Sequence, residues 1–109
     1  ANQYDTWLRH NNEDLPHIRF CGVAAAHQIS RKRHIFVEQP FPTWLYQIPP
    51  WPENLPHLCA AIVDQCMLGQ RIGTERIRKR SLLAASHPAL LSAFRGIRCD
   101  GRHKHGVSK

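Results

Sequence analysis

One cysteine and two histidines lie within seven positions of each other near the end of the chain, in the segment "RCDGRHKHG", residues 98–106. Thiolate and imidazole are the usual ligands of structural zinc, which binds four of them tetrahedrally. If this segment is extended, His103 and His105 project to the same face, because side chains alternate along a strand. Cys99, His103 and His105 are therefore candidate ligands of a zinc ion.

A fourth ligand must come from elsewhere in the chain. Cys66 is the first candidate, because it lies at the end of a predicted strand beside the tight turn "MLGQ". Cys59 and His87 are the reserves. The alternative is a solvated basic tail whose histidines bind nothing, since this spacing is weaker evidence than a paired Cys-x-x-Cys signature.

The chain is strongly basic, with a formal net charge of +7 from 15 lysines and arginines against 8 acidic residues. Such a charge favours a polyanionic partner, most commonly nucleic acid, although a basic tail that only aids solubility is the alternative. Arginine predominates, and its planar guanidinium suits bidentate contact with phosphate. The residues predicted to bind nucleic acid are Arg76, Arg78, Lys79, Arg80, Arg102 and Lys104.

A segment rich in proline and aromatic residues lies near the middle of the chain. Residues 39–56 contain six prolines, a density that excludes a long helix or a central strand. Trp44, Tyr46 and Trp51 lie within its first part, the loop 39–52. Clustered tryptophan and tyrosine favour interfaces, so these residues are a candidate docking surface for a protein partner. Stacking on single-stranded bases and packing against the core are the alternatives.

A carboxylate, Glu38, ends the predicted strand "HIFVE" and precedes this loop. Ligand sites of open α/β sheets gather at the carboxyl ends of strands. Glu38 is therefore a candidate contact to the edge of a nucleobase. The alternative is a strand-end glutamate that caps a loop N–H or pairs with Arg33.

The sequence lacks the common catalytic motifs: it has no glycine-rich phosphate loop, dinucleotide fingerprint, serine nucleophile elbow or H-E-x-x-H pair. We therefore expect no enzymatic activity from the chain alone. The four scattered cysteines and the polar opening segment predict an intracellular protein, nuclear or cytoplasmic, with reduced or metal-bound thiols. No apolar run approaches the ~18 residues needed to cross a bilayer, so no membrane span is expected.

The elements that must position these residues alternate between helix and strand. A helix from Pro16 would place Ile18, Cys21, Ala25 and Ile29 on one face. The other predicted elements are a strand over 34–38, a short helix through "HLCAA", strands over 61–68 and 76–86, and a helix over 86–94.

This alternation predicts an α/β fold of two or three layers, with a short sheet of about three strands and two to three helices. Residues 1–15 read as a polar N-terminal extension. Residues 16–109 read as a single small domain that ends in the basic Cys/His-rich tail.

Four segments in this order, "FVEQPFPTWLYQIP", "VDQCMLGQ", "RKRSLLAAS" and "CDGRHKH", resemble the C-terminal half of methyltransferase-like, Rossmann-type domains of phages and eukaryotic mobile elements. The resemblance covers roughly residues 34–106. It matches Glu38 and Pro40 to a base-side loop, Cys66 and Gly69 to a turn, Lys79 to a basic strand, and Cys99, His103 and His105 to a late Cys/His cluster.

The chain departs from that pattern in two respects. Ser81 stands where the pattern has threonine, and the half that would bind S-adenosylmethionine has no counterpart in the sequence. The resemblance therefore implies that the chain keeps only the C-terminal half of such a fold and that this half serves as a binding or scaffold module. If the domain were still methyltransferase-like, Glu38 would contact the target base and a partner would supply the cofactor half.

These observations lead to one principal hypothesis, a zinc-stabilised basic module that binds nucleic acid without catalysis, with Cys66, Cys99, His103 and His105 as the metal ligands. The alternatives are a structural subunit that docks through the proline and aromatic loop, and a partial nucleic-acid methyltransferase-like domain.

Overall fold

The computed structural model describes residues 2–69, 71–72, 75–77 and 79–106, and the side chains of all these except 71–72 and 75–77. The α-helices are α1 (Gln3–His10), α2 (Leu15–Ser30) and α3 (Trp51–Asn54). The strands are β1 (Phe36–Pro40), β2 (Cys59–Asp64), β3 (Arg71–Ile72), β4 (Glu75–Ile77), β5 (Arg80–Ala85) and β6 (His105–Gly106). The predicted small α/β fold with a three-stranded sheet is confirmed.

The chain divides into two compact units. The helical unit comprises Ala1–Ile35 and Thr43–Leu58, and the sheet unit comprises Phe36–Pro42 and Cys59–Lys109. The predicted extension, residues 1–15, contains α1. The predicted boundary at residue 15 stays a prediction.

The helical unit is built on one face of α2, where Ile18, Gly22 and Ala25 are buried at helical spacing. A Cβ at Gly22 would lie 2.9 Å from Pro50 Cδ and 3.2 Å from Trp51 Cδ1. Only glycine allows the proline-rich segment to approach the helix this closely, so the sequence of α2 and that of the loop are matched here.

Two side-chain hydrogen bonds fix α3 against the backbone of α2. The indole Nε1 of Trp51 donates to the carbonyl of Ile18 at 3.0 Å, and the Asn54 amide donates to the carbonyl of Gly22 at 3.0 Å. Both side chains are buried, so each polar atom requires such a partner. The aromatic loop thereby becomes part of the core of the helical unit.

The main sheet of the sheet unit has the order β1-β5-β2, and both strand pairs are antiparallel. Its core contains the buried side chains of Val63, Leu83, Ala85 and Leu91. A second small sheet has the order β3-β4-β6, in which β4 and β6 are parallel and Arg76 pairs with His105. This pairing fixes the basic tail beside the chain that leads into β5.

The element boundaries differ from the sequence-based expectations where short apolar runs are ambiguous between helix and strand. The "HLCAA" segment does not form the predicted helix, because Cys59 already begins β2 and pairs with Ala85 of β5. The strand predicted over 61–68 ends at Asp64, and a 3-10 helix, Gln65–Leu68, follows it. The helix predicted over 86–94 is a 3-10 helix, Pro88–Phe94.

Candidate metal centre

Cys66 lies on the 3-10 helix that follows β2, and its side chain is buried. This helix ends at Gly69, whose positive φ of 86° turns the chain. Two hydrogen bonds of Gln65 hold the helix against the start of β5: the backbone N–H donates to the Lys79 carbonyl at 2.8 Å, and the side-chain amide donates to Ser81 Oγ at 2.6 Å. The Cys66 thiol is therefore held in place by its neighbours along the chain.

Cys99 is positioned by the end of β2. The N–H of Asp64 donates to the Ile97 carbonyl at 2.9 Å, and the N–H of Cys99 donates to Asp64 Oδ2 at 2.7 Å. These two bonds continue the hydrogen bonding of β2 onto the chain that enters the tail. They bring Cys99 close to Cys66, although 33 residues separate the two in sequence.

His103 and His105 complete the cluster. As predicted for an extended segment, their rings lie close together, with centroids 4.7 Å apart and Nε2 atoms 3.0 Å apart. The Cys99 Sγ lies 3.6 Å from His103 Nε2 and 3.5 Å from His105 Nε2. With Cys66, the four side chains offer ligand atoms that all lie within 4.8 Å of one another.

These distances agree with a tetrahedral metal centre. Metal–sulfur bonds of about 2.3 Å and metal–nitrogen bonds of about 2.0–2.1 Å at tetrahedral angles place S and N about 3.6 Å apart and the two N atoms about 3.3 Å apart. The observed S···N distances of 3.5 and 3.6 Å match, and the N···N distance of 3.0 Å is slightly shorter. The four residues are therefore positioned to hold a metal ion.

Asp100 orients one of the imidazoles. Its Oδ1 lies 3.1 Å from His103 Nδ1, on the side of the ring opposite the cluster. In the neutral ring, a proton on Nδ1 that is donated to this carboxylate leaves the Nε2 lone pair directed at the metal position. Carboxylates in this role fix the tautomer and the orientation of ligating histidines. The chemistry of this donor set thus extends beyond the four ligands.

Asp64 is the electrostatic centre of the surrounding structure. Burial by itself raises the pKa of its carboxyl group, but hydrogen bonds from Arg80, from the Cys99 N–H and from Arg98 outweigh burial and lower the pKa to about 2. Arg80 Nε lies 2.9 Å from Oδ1 and Arg98 Nε lies 3.1 Å from Oδ2. The same ion pair raises the pKa of Arg80.

The two reserve ligands lie outside the cluster. Cys59 is half-buried in β2 and packs against the core of the sheet unit. His87 uses its Nδ1 to accept the N–H of Ala89 at 3.1 Å and thereby caps the following 3-10 helix. The choice of Cys66 as the fourth member of the cluster agrees with the structure.

The residues predicted to bind nucleic acid differ in their surroundings. Arg102 and Lys104 are exposed on the tail, and Lys79 is half-buried. The side chain of Arg80 is 39% exposed, but its Nε is occupied by Asp64. Arg78 and the side chain of Arg76 lie outside the described part of the chain.

The predicted docking aromatics lie inside the helical unit to different degrees. Trp51 is 2% exposed, so its indole offers no surface to a partner. Trp44 is half-buried and its ring packs edge-on against Tyr4 at 5.7 Å. Tyr46 packs edge-on against Trp51 at 5.4 Å. The packing alternative therefore describes Trp51 better than the docking role assigned to it.

Glu38 lies in the middle of β1, which is an edge strand, and its side chain is exposed. The expectation that Glu38 ends a buried strand is wrong, because β1 runs on to Pro40 and its residues alternate between exposed and half-buried.

Three residues that support the cluster were not identified from the sequence. Asp64 accepts the N–H of Cys99, Arg98 donates to Asp64, and Asp100 contacts His103. The available signal was their position, since Asp64 precedes Cys66 by two residues and Asp100 follows Cys99 directly. Ligating histidines commonly have carboxylate partners, which makes such neighbouring acids informative.

No protein-family model matches the chain, and neither a curated protein nor a solved structure matches it. Among the described residues, no helix has both the length and the apolar character needed to cross a membrane.

Proposed function

We propose that the chain is a zinc-stabilised basic module of an intracellular protein and that it binds nucleic acid without catalysis. The observation that carries the zinc part is the cluster of Cys66, Cys99, His103 and His105, whose ligand atoms lie within 4.8 Å of one another. The charge of the chain carries the nucleic-acid part.

The donor set favours zinc over calcium and magnesium. Two thiolates and two imidazoles form a common ligand set of structural zinc, whereas calcium and magnesium prefer oxygen ligands. Four protein ligands also fill a tetrahedral ion, so a bound zinc would keep no position for a water or substrate. The site is therefore structural rather than catalytic.

A metal at this position would add a cross-link to the hydrogen bonds that join Asp64 to residues 97–99. It would tie the 3-10 helix after β2 to the tail, where Cys99, His103 and His105 supply the remaining ligands. A small unit with a core of a few side chains has little stability in reserve, so such a cross-link contributes a large share of its folding free energy.

Nucleic acid is the polyanion that best accounts for a net charge of +7. Arg102 and Lys104 are exposed on either side of His103, so the segment that the metal would order also carries free positive charge. Contacts from such side chains to phosphates would not depend on base identity. The affinity would then fall steeply as the salt concentration rises.

The zinc part is tested by elemental mass spectrometry of the purified chain. We expect one equivalent of zinc, its loss in Cys99→Ser and in His105→Ala, and its retention in Cys21→Ser. Cys21 is a matched control, because it also lies near a histidine, with its Sγ 3.5 Å from His17 Nε2, but it belongs to the helical unit. A parent chain without metal, or equal zinc in all variants, would contradict the proposal.

The nucleic-acid part is tested by titrating a labelled single-stranded oligonucleotide at several salt concentrations. We expect log K to fall linearly with log of the salt concentration, because bound counterions are released. A flat dependence would contradict this part alone. The likeness to methyltransferase-like domains and the role as a docking subunit stay predictions, and the proposed function depends on neither.

A further inference from the structure

A single buried carboxylate in the sheet unit holds two arginines that come from different elements. The side chain of Asp64 is 7% exposed. Arg80, the first residue of β5, donates its Nε to Oδ1, and Arg98, at the start of the tail, donates its Nε to Oδ2. Because both arginines bond to the same carboxyl group, their guanidinium groups lie next to each other.

Both guanidinium groups retain donors that Asp64 does not use. A guanidinium has five N–H donors, and each arginine contacts the carboxylate through Nε. Their side chains are 39% and 49% exposed, so the groups reach solvent. Two half-exposed guanidinium groups held on one carboxylate suit the binding of phosphate, because arginine binds phosphate through paired hydrogen bonds.

The local charge remains positive. One carboxylate and two guanidinium groups sum to one positive charge. A zinc ion bound by two thiolates and two neutral imidazoles would add no net charge. Asp100 is the nearby acid in the tail, and its carboxylate is engaged by His103 and by the N–H of Arg102.

We propose that Arg80 and Arg98, held together by Asp64, form a phosphate-binding pair that receives the backbone of a single-stranded nucleic acid. This inference rests on the proposed function and adds where one phosphate binds. The pairing with Asp64 orders both side chains before binding, so less conformational entropy is lost when phosphate arrives. Arg98 is a new assignment, and Arg80 acts as half of a pair rather than as one of a run of separate basic residues.

The metal cluster adjoins this pair through Cys99. Its N–H donates to Asp64 Oδ2, the same oxygen that accepts from Arg98. A metal bound at Cys99 would therefore help to fix the carboxylate and, through it, both arginines. The proposed pair would reach its full affinity only in the metal-loaded chain.

The experiment measures binding of fluorescein-labelled oligodeoxythymidine to the zinc-loaded chain by anisotropy across a series of salt concentrations. We expect Arg80→Gln and Arg98→Gln each to weaken binding and to reduce the steepness of the log K against log salt plot by about 0.7, the value for one single-strand phosphate contact. Arg95→Gln is the matched control, because Arg95 is exposed in the same unit and bonds to no carboxylate among the described residues.

Lysine variants separate phosphate binding from support of the metal cluster. Arg80→Lys and Arg98→Lys retain a positive charge for Asp64 but lose the second donor edge of the guanidinium. We expect these variants to hold one equivalent of zinc and still to bind the oligonucleotide more weakly than Arg95→Lys does. Inorganic phosphate should compete with the oligonucleotide in the parent and have a smaller effect in both lysine variants.

Three results would contradict a phosphate-binding role for Arg80 and Arg98. If the glutamine variants bind like the parent with an unchanged salt dependence, this role is wrong and the proposed function stays intact. Parent-like binding of both lysine variants would show that charge alone matters. A parent chain that holds zinc but binds no oligonucleotide would remove the pair together with the nucleic-acid part of the proposed function.

Discussion

The two units of the chain are stabilised by different interactions. In the helical unit, an indole and an amide are buried against a glycine-containing face of α2, and their polar atoms bond to helix carbonyls. The sheet unit has a core of small and medium side chains, next to a cluster of thiols, imidazoles, a carboxylate and arginines. Close packing therefore dominates the first unit, whereas polar and metal-ligating side chains organise the end of the second.

Metal removal should affect the sheet unit most strongly. Binding of structural zinc provides on the order of 10 kcal/mol to a folded site, and without it four polar side chains remain close together with no ion between them. We expect a chelator to accelerate amide hydrogen exchange of β6 and Cys99 by at least ~100-fold, while the exchange of α2 stays unchanged. Equal loss of protection in both units would contradict the distinction.

Trp51→Ala should affect the helical unit without releasing the metal. The indole is 2% exposed and donates to the Ile18 carbonyl, so its removal leaves a cavity. Truncation of a buried tryptophan typically costs about 3–5 kcal/mol. We expect this loss in the free energy of unfolding from denaturant titrations, with the zinc content of the folded chain unchanged. Trp44→Ala, at a half-buried position, is the comparison and should cost less.

Gly22→Ala tests the close approach of α2 and the proline-rich segment. In an ordinary helix this substitution stabilises by up to about 1 kcal/mol, because alanine has the higher helix propensity. Here the added Cβ would lie 2.9 Å from Pro50 Cδ, so we expect destabilisation by about 1–3 kcal/mol. An increase in the melting temperature would show that the approach is not tight.

Tyr46→Phe should produce the smallest change and in the opposite direction. The Tyr46 hydroxyl is buried and has no hydrogen-bond partner among the described residues. A buried polar group without a partner lowers the free energy of unfolding by about 1–3 kcal/mol. The phenylalanine variant keeps the ring that packs against Trp51 and removes the unpaired hydroxyl. We expect the free energy of unfolding to rise by about 1 kcal/mol, and a decrease would indicate a partner for the hydroxyl.

The same variant should change the response to alkaline pH. Burial raises the pKa of Tyr46 from 10.0 to about 12. Between these two values the unfolded chain loses the Tyr46 proton and the folded chain keeps it. The free energy of unfolding is therefore unaffected by this group below about pH 10 and falls as the pH rises from there to about 12. Tyr46→Phe should therefore lose less stability than the parent over that interval in denaturant titrations at fixed pH.

The sequence contained enough information for three members of the candidate metal centre, because Cys99, His103 and His105 lie within one short extended segment. Alternation along that segment correctly placed the two histidines together. Cys66 was predicted from its position at a strand end and a turn, and the structure brings it into the cluster. The small α/β class followed from the alternation of helix and strand patterns and is confirmed.

Only the tertiary structure assigned roles to residues whose partners are distant in sequence. In the sequence Asp64 is one polar residue within a predicted strand, and its role depends on Arg98 and Cys99, more than 30 residues later. In the sequence Trp51 is a candidate docking residue of a loop, yet in the structure Gly22 leaves space on α2 for its side chain to be buried. The sheet order β1-β5-β2 likewise depends on pairing between distant strands. Spacing and local pattern specify short-range geometry, whereas burial and ion pairing depend on contacts that form only when separate segments pack together.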